Sequence, residues 1–535
     1  MRPIYQTKSA SAGEPNDVAL SKNETALSLL NLQVLLFLAG MVALWTLLCA
    51  ISHLAPDLDG MEELVWASSL ELGYYKHPPF PSWVMYGLTQ LFGRSVWLTF
   101  FAGQLCSTLA LWFVWLLGRE FTTPRKAFIV MLLLSTTIYF SLRGTIFNHN
   151  TAQLWSIAAA TWLFYRALRY QRLGTWLWLG AVSAIAIMTK YSAVIQFAAF
   201  FCFMLRQGSF NDSRNLKGIA GALGTFLLVS SPHAYWLVLN AFQPFRYADT
   251  ALEAQSHLDA LVHLFKFALD QCARLSPMLV VMLILWQTTR KSASAAVPSI
   301  GGQDTASYWT SLSGWDRSFL LWVGLAPMVL TVLISAILGT RLQASWATTF
   351  FILYAFYALR WMYGNEQVNL RRIAMLVIAL HILMAVVYAA ARGPLAWHSG
   401  RDARSTFPGP AIATEMNAIW RKHIPESPLA LVVSDTWLGG NVAVNSGPGV
   451  EVFINADYAE SPWLDPATSL DCGALVVHSR LTKGEPGRAL KNLFNLADWH
   501  GVAAIQWSSK KSPVIDLHWA IIPPKRKCAD RYRTG

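Results

Sequence analysis

The sequence is poor in charged residues, which make up 13% of its 535 residues, whereas hydrophobic residues make up 54%. Soluble domains carry about 25% charged residues, so this composition excludes an ordinary soluble protein and indicates that most of the chain lies in a membrane. The mean hydropathy of +0.37 agrees with that interpretation. The net charge of +12 does not predict nucleic-acid binding, because no basic stripe with interleaved aromatic residues occurs outside the apolar segments.

Several motifs are also missing. Residues 1–25 are polar and contain no apolar core of a signal peptide, so the first apolar segment is expected to act as an uncleaved anchor. The C-terminal part has no Gly-x-Gly-x-x-Gly or P-loop motif, which argues against nucleotide binding. The six cysteines show no zinc-site spacing. Cys472 and Cys528 are the only pair in the C-terminal part, and they could form a disulfide if that part faces an oxidising compartment.

Long apolar runs are what the sequence has in abundance. We predict about eleven transmembrane segments, each long enough for roughly 30 Å of hydrocarbon. They fall near residues 27–54, 94–118, 126–141, 150–166, 174–189, 192–205, 218–239, 275–289, 319–338, 345–360 and 372–391. The domain organisation predicted from them is an N-terminal tail over 1–26, a membrane domain over 27–391 and a separate domain over 392–535.

Lys and Arg concentrate in alternate short loops, and such loops are typically cytoplasmic. The basic loops lie near residues 119–126, 166–172, 206–217, 290–317 and 360–372. The N-terminus is therefore predicted to be cytoplasmic. The loops 55–93 and 240–274 and the C-terminal domain are predicted to face outward, which in a bacterial inner membrane means the periplasm.

The C-terminal domain is predicted to be a small α/β domain, because strand-like and helix-like patterns alternate there. The predicted strands cover 429–434, 449–454, 474–478, 502–506 and 517–522, and the predicted helices cover 410–423 and 487–497.

The outer loop 55–93 is dense in charge. Apolar residues recur at three- and four-residue spacing over 60–72, which predicts an amphipathic helix lying on the membrane. Asp59 stands at its start, and Glu62 and Glu63 follow at a spacing that puts all three carboxylates on one face. The residues alone leave two interpretations open: a capped, solvated helix, or a carboxylate site in which partial burial raises the pKa of Asp59 for general-base chemistry.

Cations accompany these acids on the predicted outer face. Lys76 and His77 precede Pro78-Pro79, a turn that proline makes rigid and extended. Lys190 interrupts an apolar stretch, where a charge is costly and marks a functional candidate, although snorkelling to the interface explains it as well. Arg246 and Arg341 lie in the other outer segments. Carboxylates beside cations suit a general base and an anionic lipid phosphate.

The motifs Asp59-Gly60-Met61-Glu62 and Gly73-Tyr74-Tyr75-Lys76-His77-Pro78-Pro79-Phe80-Pro81-Ser82-Trp83 resemble the first outer loop of bacterial GT-C glycosyltransferases. The resemblance is to the Rgt-like and aminoarabinose-transferase-like branch, related to protein O-mannosyltransferases, and it covers roughly residues 30–360. It continues through Asn148-His149-Asn150, Thr189-Lys190-Tyr191-Ser192, Ser231-Pro232-His233-Ala234-Tyr235-Trp236 and Phe245-Arg246-Tyr247-Ala248.

The resemblance implies an all-α GT-C membrane fold and a sugar donor carried on a polyprenyl phosphate. It implies that Asp59 is the base, that Glu62 is its acidic companion, and that Lys76 and His77 face the donor phosphate. Lys190, Arg246 and Arg341 are further candidates for phosphate binding. The substrate pocket is expected to include Tyr74, Tyr75, Asn148, Asn150, His233 and Tyr247.

Two positions depart from the aminoarabinose transferases. His77 stands where those enzymes have Lys directly before the first proline, and Asn150 stands where they have Asp. Both departures argue against aminoarabinose as the sugar, while the reaction class is unaffected.

The expected function is inverting transfer of a sugar from undecaprenyl or another polyprenyl phosphate to an envelope acceptor at the periplasmic face. Lipid A or lipopolysaccharide, an exported glycan and a protein hydroxyl all remain open as acceptors. No cofactor is expected: the carboxylates could bind a divalent metal, but a lipid monophosphate donor does not require one. The alternatives are a transporter or flippase of polyprenyl-linked lipids, for which inverted repeats would be the sign, and a non-enzymatic scaffold or sensor.

Overall fold

The computed structural model describes residues 14–252, 256–295 and 307–525. Its larger part is a bundle of helices that follow one another along the chain. These are α1 (Glu14–Ser52), α2 (Leu58–Trp66), α3 (Phe80–Phe92), α4 (Trp97–Phe121), α5 (Pro124–Ser135), α6 (His149–Tyr170), α7 (Leu173–Thr189), α8 (Ala193–Arg206), α9 (Ser213–Leu239), α10 (Gln243–Leu252), α11 (His257–Ala295), α12 (Gly314–Leu338) and α13 (Glu366–Arg392).

Within the described ranges, six of these helices are long and apolar enough to cross a membrane, and two more, α7 and α8, are apolar but shorter. The six are α1, α4, α9, α11, α12 and α13. The chain is therefore a multi-pass membrane protein, as predicted, but the count of eleven spans is not confirmed.

Two predictions in this part are wrong. The predicted span 345–360 consists of turns and 3-10 segments, Ala344–Ala347 and Tyr354–Trp361. Its apolar side chains, such as Phe350 and Ile352, are buried inside the protein, where an irregular backbone at membrane depth is tolerated. The predicted loop 240–274 is largely helical, because α11 begins at His257 and continues without interruption through the predicted span.

The C-terminal unit, which we define as residues 404–525, contains a five-stranded sheet. Its elements follow a short helix α14 (Pro394–Ser399) and are α15 (Gly409–His423), β1 (Leu431–Ser434), α16 (Thr436–Ser446), β2 (Glu451–Ile454), β3 (Ala474–His478), α17 (Arg480–Lys483), α18 (Arg488–Asn495), β4 (Trp499–Gln506) and β5 (Val514–Ile522). The strand order is β2-β1-β3-β5-β4. The first three strands are parallel, and β5 and β4 join antiparallel.

All five predicted strands overlap observed ones, which confirms the small C-terminal sheet. Helix α16 between β1 and β2 was not predicted, because Gly439-Gly440 lowers helix propensity in its middle. It begins at an effective cap, since Asp435 Oδ1 accepts hydrogen bonds from the backbone N–H groups of Trp437 and Leu438 at 2.9 and 3.1 Å.

Helix α2 is not the membrane-surface helix predicted over 60–72. It is shorter, and every residue from Gly60 to Trp66 is buried. The apolar side chains Met61, Leu64 and Trp66 belong to one hydrophobic core with Phe407 and Leu438 of the C-terminal unit. The periodicity of this segment therefore serves protein packing rather than contact with lipid.

Candidate active site

Helix α2 presents Asp59 to solvent from its first turn. Asp57 caps the helix, because its Oδ1 accepts the N–H of Leu58 at 2.8 Å. The Asp59 side chain is exposed, and its Oδ2 accepts a hydrogen bond from Asn148 Nδ2 at 2.9 Å. The partial burial predicted for this carboxylate is therefore wrong, since α2 buries the opposite side of its first turn.

The start of α6 connects Asp59 to a cation. Asn148 is the N-cap, and its Oδ1 accepts the backbone N–H groups of Asn150 and Thr151, both at 3.0 Å. Its amide nitrogen is thereby directed to Asp59. Two residues on, Asn150 Oδ1 accepts a hydrogen bond from Lys190 Nζ at 2.5 Å. The first turn of α6 thus binds Asp59 through Asn148 and Lys190 through Asn150.

Lys190 lies in the turn that follows α7, with extended backbone. Its Nζ is 5.5 Å from the centroid of the Trp346 ring, a cation–π arrangement. Burial lowers the pKa of Lys190 to about 7, and the negative charge of Asp59 opposes that shift. An anionic ligand beside this amine would favour its charged form.

Lys76 forms the second cationic position. Its Nζ donates to Glu62 Oε1 at 2.6 Å, and both side chains are largely buried. The ammonium also lies 5.2 and 5.6 Å from the ring centroids of Tyr75 and Tyr247. Burial alone would lower the pKa of Lys76, but the Glu62 carboxylate and Tyr75 raise it above its ordinary value. Lys76 therefore stays charged, with its head group between an acid and two aromatic rings.

Glu63 points the opposite way from Glu62 and is buried, with 1% of its side chain exposed. Ser82 Oγ donates to its Oε2 at 2.7 Å, and its Oε1 lies 3.2 Å from His149 Nδ1. His149 Nε2 is 3.3 Å from the carbonyl oxygen of Pro78, which can only accept. We therefore assign the ring proton to Nε2, so that Nδ1 accepts a hydrogen bond from the protonated carboxyl group of Glu63.

This assignment requires a protonated Glu63 carboxyl group. Burial, the largest influence, raises the pKa of Glu63 well above its usual value, and the hydrogen bond from Ser82 opposes the shift only in part. The neutral pair Glu63–His149 thus ties α2, the Pro78-Pro79 turn and the start of α6 together without a buried charge.

His77 completes the turn. Its ring lies 3.9 Å from that of His149, centroid to centroid. Burial and the positive charges of neighbouring residues, among them Lys190 and Lys76, lower the pKa of His77 well below its usual value. His77 is therefore neutral at pH 7 and can donate a hydrogen bond, but it does not supply the positive charge predicted for it.

Comparisons with known proteins find similar sequences among glycosyltransferases. The family model described as dolichyl-phosphate-mannose-protein mannosyltransferase matches residues 76–236. The chain is 25% identical over 407 residues to the lipopolysaccharide core galacturonosyltransferase RgtA of Rhizobium johnstonii, covering 74% of this chain and 77% of RgtA. It is 26% identical to RgtB of the same organism, a second lipopolysaccharide core galacturonosyltransferase, covering 91% of this chain and 93% of RgtB.

A solved structure shows the same fold. The crystal structure of ArnT from Cupriavidus metallidurans, bound to undecaprenyl phosphate, superposes with a TM-score of 0.60 at 14% sequence identity and covers 91% of this chain and 98% of that one. Together these comparisons support a GT-C glycosyltransferase. The segment matched by the family model includes Lys76, Asn150 and Lys190 but begins after Asp59.

The structure of this glycosyltransferase brings together most of the residues predicted from sequence. Those that meet around the start of α6 and the Pro-Pro turn are Asp59, Glu62, Tyr75, Lys76, His77, Asn148, Asn150, Lys190 and Tyr247. Their roles remain predictions.

Four predicted residues have other contacts. Arg246 is exposed and donates to the carbonyl oxygen of Ala241 in its own turn. Arg341 Nε pairs with Asp259 at 3.4 Å, and its Nη2 lies 2.7 Å from His263 Nε2. Among the described residues, neither arginine has a hydrogen bond or ion pair with the residues around Asp59. Tyr74 is 1% exposed and stacks on Trp66, and His233 bonds the carbonyl oxygen of Leu72 and the Tyr191 hydroxyl.

The predictions about the Cys472–Cys528 disulfide and about metal binding are not tested by the structure. Cys472 is buried and disulfide-bonded, but Cys528 lies outside the described residues, so their pairing remains a prediction. In the described ranges, no group of three or more His, Cys, Asp and Glu side chains is arranged to hold a metal ion. Metal dependence is untested by this observation.

The sequence prediction missed Glu63, Ser82 and His149 as members of the site. A signal was present for Glu63, because it lies four residues after Asp59 in the predicted helix. The helical spacing suggested a shared face, whereas the structure places Asp59 in solvent and Glu63 in the core. No local pattern connects Glu63 to Ser82 or His149, which come from other helices.

The neutral Glu63 can be tested by substitution. Gln at this position accepts from Ser82 and donates to His149 as the protonated acid does, so Glu63→Gln should keep nearly wild-type stability. Glu63→Ala leaves both buried partners unpaired, which costs roughly 1–3 kcal/mol for each group. Thermal unfolding in detergent micelles, followed by intrinsic fluorescence, measures the difference. Equal destabilisation by both substitutions would show that Glu63 is ionised.

Proposed function

We propose that this glycosyltransferase moves a sugar from a polyprenyl phosphate donor to lipid A or the lipopolysaccharide core. The observation that carries the proposal is the start of α6, where Asn148 binds Asp59 and Asn150 binds Lys190. This geometry sets a carboxylate and an ammonium on either side of one short segment, as base-assisted displacement of a phosphate requires. The names of the Rgt and ArnT relatives support the choice of donor and acceptor.

In the proposed reaction, an acceptor hydroxyl attacks the anomeric carbon while Asp59 takes its proton. The bond from that carbon to the phosphate oxygen breaks, and the polyprenyl phosphate leaves with the electron pair. Lys190 and Lys76 stabilise the charge that develops on the phosphate, and His77 and Asn150 supply hydrogen bonds nearby. The rigid turn at Pro78-Pro79 keeps Lys76 and His77 in a fixed position relative to Asp59. The anomeric configuration is inverted.

The proposal includes a location. The chain resides in the bacterial inner membrane, with its N-terminus in the cytoplasm and its C-terminal domain, 392–535, in the periplasm. Support comes from the Lys and Arg distribution of its loops. On that face the donor is a lipid-linked sugar, because nucleotide sugars are confined to the cytosol. Galacturonic acid, named in both Rgt relatives, is the first sugar to test.

The deciding experiment is a transfer assay with purified protein in proteoliposomes. Lipid A or core oligosaccharide is supplied as acceptor with undecaprenyl-phosphate-galacturonate, undecaprenyl-phosphate-aminoarabinose or an undecaprenyl-phosphate-hexose as donor. Mass spectrometry should show an acceptor heavier by one sugar residue with one of these donors. Movement of unchanged donor between leaflets, with no change in acceptor mass, would contradict the proposal in favour of a flippase.

Lys76→Ala should weaken donor use. A hydrogen bond to a charged group contributes about 1.5–3 kcal/mol, so the KM for the lipid-linked donor should rise about tenfold or more while the KM for the acceptor changes little. Steady-state kinetics with each substrate varied in turn measures this. Glu62→Gln, which removes the ion-pair partner but keeps the Lys76 side chain, is the matched control. An unchanged donor KM in Lys76→Ala would remove Lys76 from the phosphate site.

A further inference from the structure

The C-terminal unit holds α2 on both sides of Asp59. Before it, Arg404 Nη1 donates to Asp57 Oδ1 at 2.6 Å, and Asp57 is the N-cap of α2. After it, the side chains of Met61 and Val65 pack against α16 at Gly440. The two contacts flank Asp59 by two residues in each direction. The acid itself stays exposed, so the unit fixes its helix without covering its carboxylate.

The packing at Gly440 leaves no room for a side chain. A Cβ at this position would lie 2.6 Å from Cγ and Sδ of Met61 and 2.9 Å from Cγ2 of Val65. Met61 and Val65 are buried in the shared core, so neither can swing into solvent. Helices α16 and α2 therefore approach as closely as glycine permits, and the position of one determines the position of the other.

The same interface is tied to the membrane domain at its ends. Arg94, in the turn after α3, donates from Nη2 to the carbonyl oxygens of Gly447 and Val450 at 3.3 and 2.5 Å, beyond the end of α16. The N–H of Leu54, after α1, donates to the carbonyl oxygen of Ser405 at 2.7 Å. The unit that holds α2 is thus itself fixed to the loop before α2 and to the turn after α3.

We propose that Arg404 and Gly440 are positioning residues for the reaction. They set α2 relative to the start of α6, and so hold Asp59 at the distance from Asn148 and Lys190 that transfer needs. The inference rests on the proposed role of Asp59. An exposed ion pair contributes little to stability, and Arg404 and Asp57 are 52% and 37% exposed. If removal of Arg404 lowers the rate strongly, the cause is therefore a changed position of α2 and not a loss of folding.

The test compares Arg404→Ala with a matched control in the same unit. Arg480 forms a more exposed pair with Glu485, at 2.7 Å, and this pair belongs to the segment around α17. Arg404→Ala should lower kcat about tenfold or more, because a small misplacement of a reacting group is costly, while the donor KM changes by less than about twofold. Arg480→Ala should leave kcat unchanged, and Arg404→Lys should recover most of the loss.

Hydrogen exchange provides a readout that does not depend on the role of Asp59. In full-length protein, the amides of residues 58–66 should exchange at least tenfold faster in Arg404→Ala than in the wild type or Arg480→Ala. Gly440→Ala, which pushes directly on Met61, should show the same faster exchange and the same loss of kcat. A second outcome is that Asp59→Asn remains active while the Arg404 and Gly440 variants still exchange faster at residues 58–66. In that case the assignment of Asp59 as base is wrong, and the positioning of α2 by Arg404 and Gly440 is supported. Unchanged exchange and kcat in both Arg404→Ala and Gly440→Ala would overturn the inference.

Discussion

Asp59→Asn is expected to lower kcat by about 10²–10⁴-fold, the range typical of loss of a general base. The asparagine side chain has the same shape, and its Oδ1 can still accept the hydrogen bond from Asn148 Nδ2. It cannot take a proton from the acceptor hydroxyl. The helix start remains capped by Asp57, so the variant should fold and insert as the wild type does. The transfer assay in proteoliposomes, under saturating donor and acceptor, measures kcat directly.

Asp402→Asn is the matched control, because Asp402 is an exposed acid near the junction with the C-terminal unit. It should be fully active. Donor binding to the Asp59 variant should also persist, since the cations are intact, and this can be followed by protection of the protein against thermal unfolding by undecaprenyl phosphate. A wild-type rate in folded Asp59→Asn would eliminate Asp59 as the base.

The second large effect is expected at Lys190. Lys190→Met keeps an unbranched side chain of similar length and removes the charge, so kcat/KM for the donor should fall about 10²–10³-fold, as for loss of one preorganised donor to a developing anion. Asn150 would lose the partner of its Oδ1. The effect should appear with every acceptor, because the contact is to the leaving phosphate. Equal donor kcat/KM in Lys190→Met and wild type would remove Lys190 from the mechanism.

The lowered pKa of Lys190 also predicts that the donor kcat/KM depends on pH. Its pKa is lowered to about 7, so in the free enzyme the amine loses its proton, and with it the positive charge, as pH rises through 7. The donor kcat/KM, which reports groups of the free enzyme, should therefore fall on the alkaline side of neutrality. Arg stays charged throughout this range, so Lys190→Arg should lack that alkaline decline even if its rate is lower. A pH profile with the same decline in both proteins would assign it to another group.

The fold was predictable where a local pattern determines it. The C-terminal strands were found because short apolar runs bounded by turn residues are distinctive, and the long helices α1, α4, α12 and α13 because their apolar runs are long. The segment 345–360 was misread because composition alone does not separate a lipid-exposed helix from irregular backbone buried in protein. The first half of α11 was misread as loop because charged and polar residues, such as Asp259 and His263, interrupt its apolar sequence.

The sequence indicated which residues lie near one another, but not their burial or charge states. Motif and topology together selected Asp59, Lys76 and Lys190, whose roles stay predictions. The neutral state of His77 could not be foreseen, because it depends on burial and on cations brought from distant segments. The burial of α2 was missed for the same reason: its apolar face suits a membrane surface as well as a protein core, and only the long-range partner at Gly440 decides between them.

The close contact between α2 and α16 also constrains the order of folding. Residues near position 60 leave the ribosome long before Gly440, and chains generally begin to fold from the N-terminal side during synthesis. The membrane helices can insert early, but the buried face of α2 is covered only when the last quarter of the chain has been synthesised and has folded. An incompletely made or truncated enzyme would therefore carry every residue around Lys190 and still lack a fixed acid, so transfer would begin only with the finished chain.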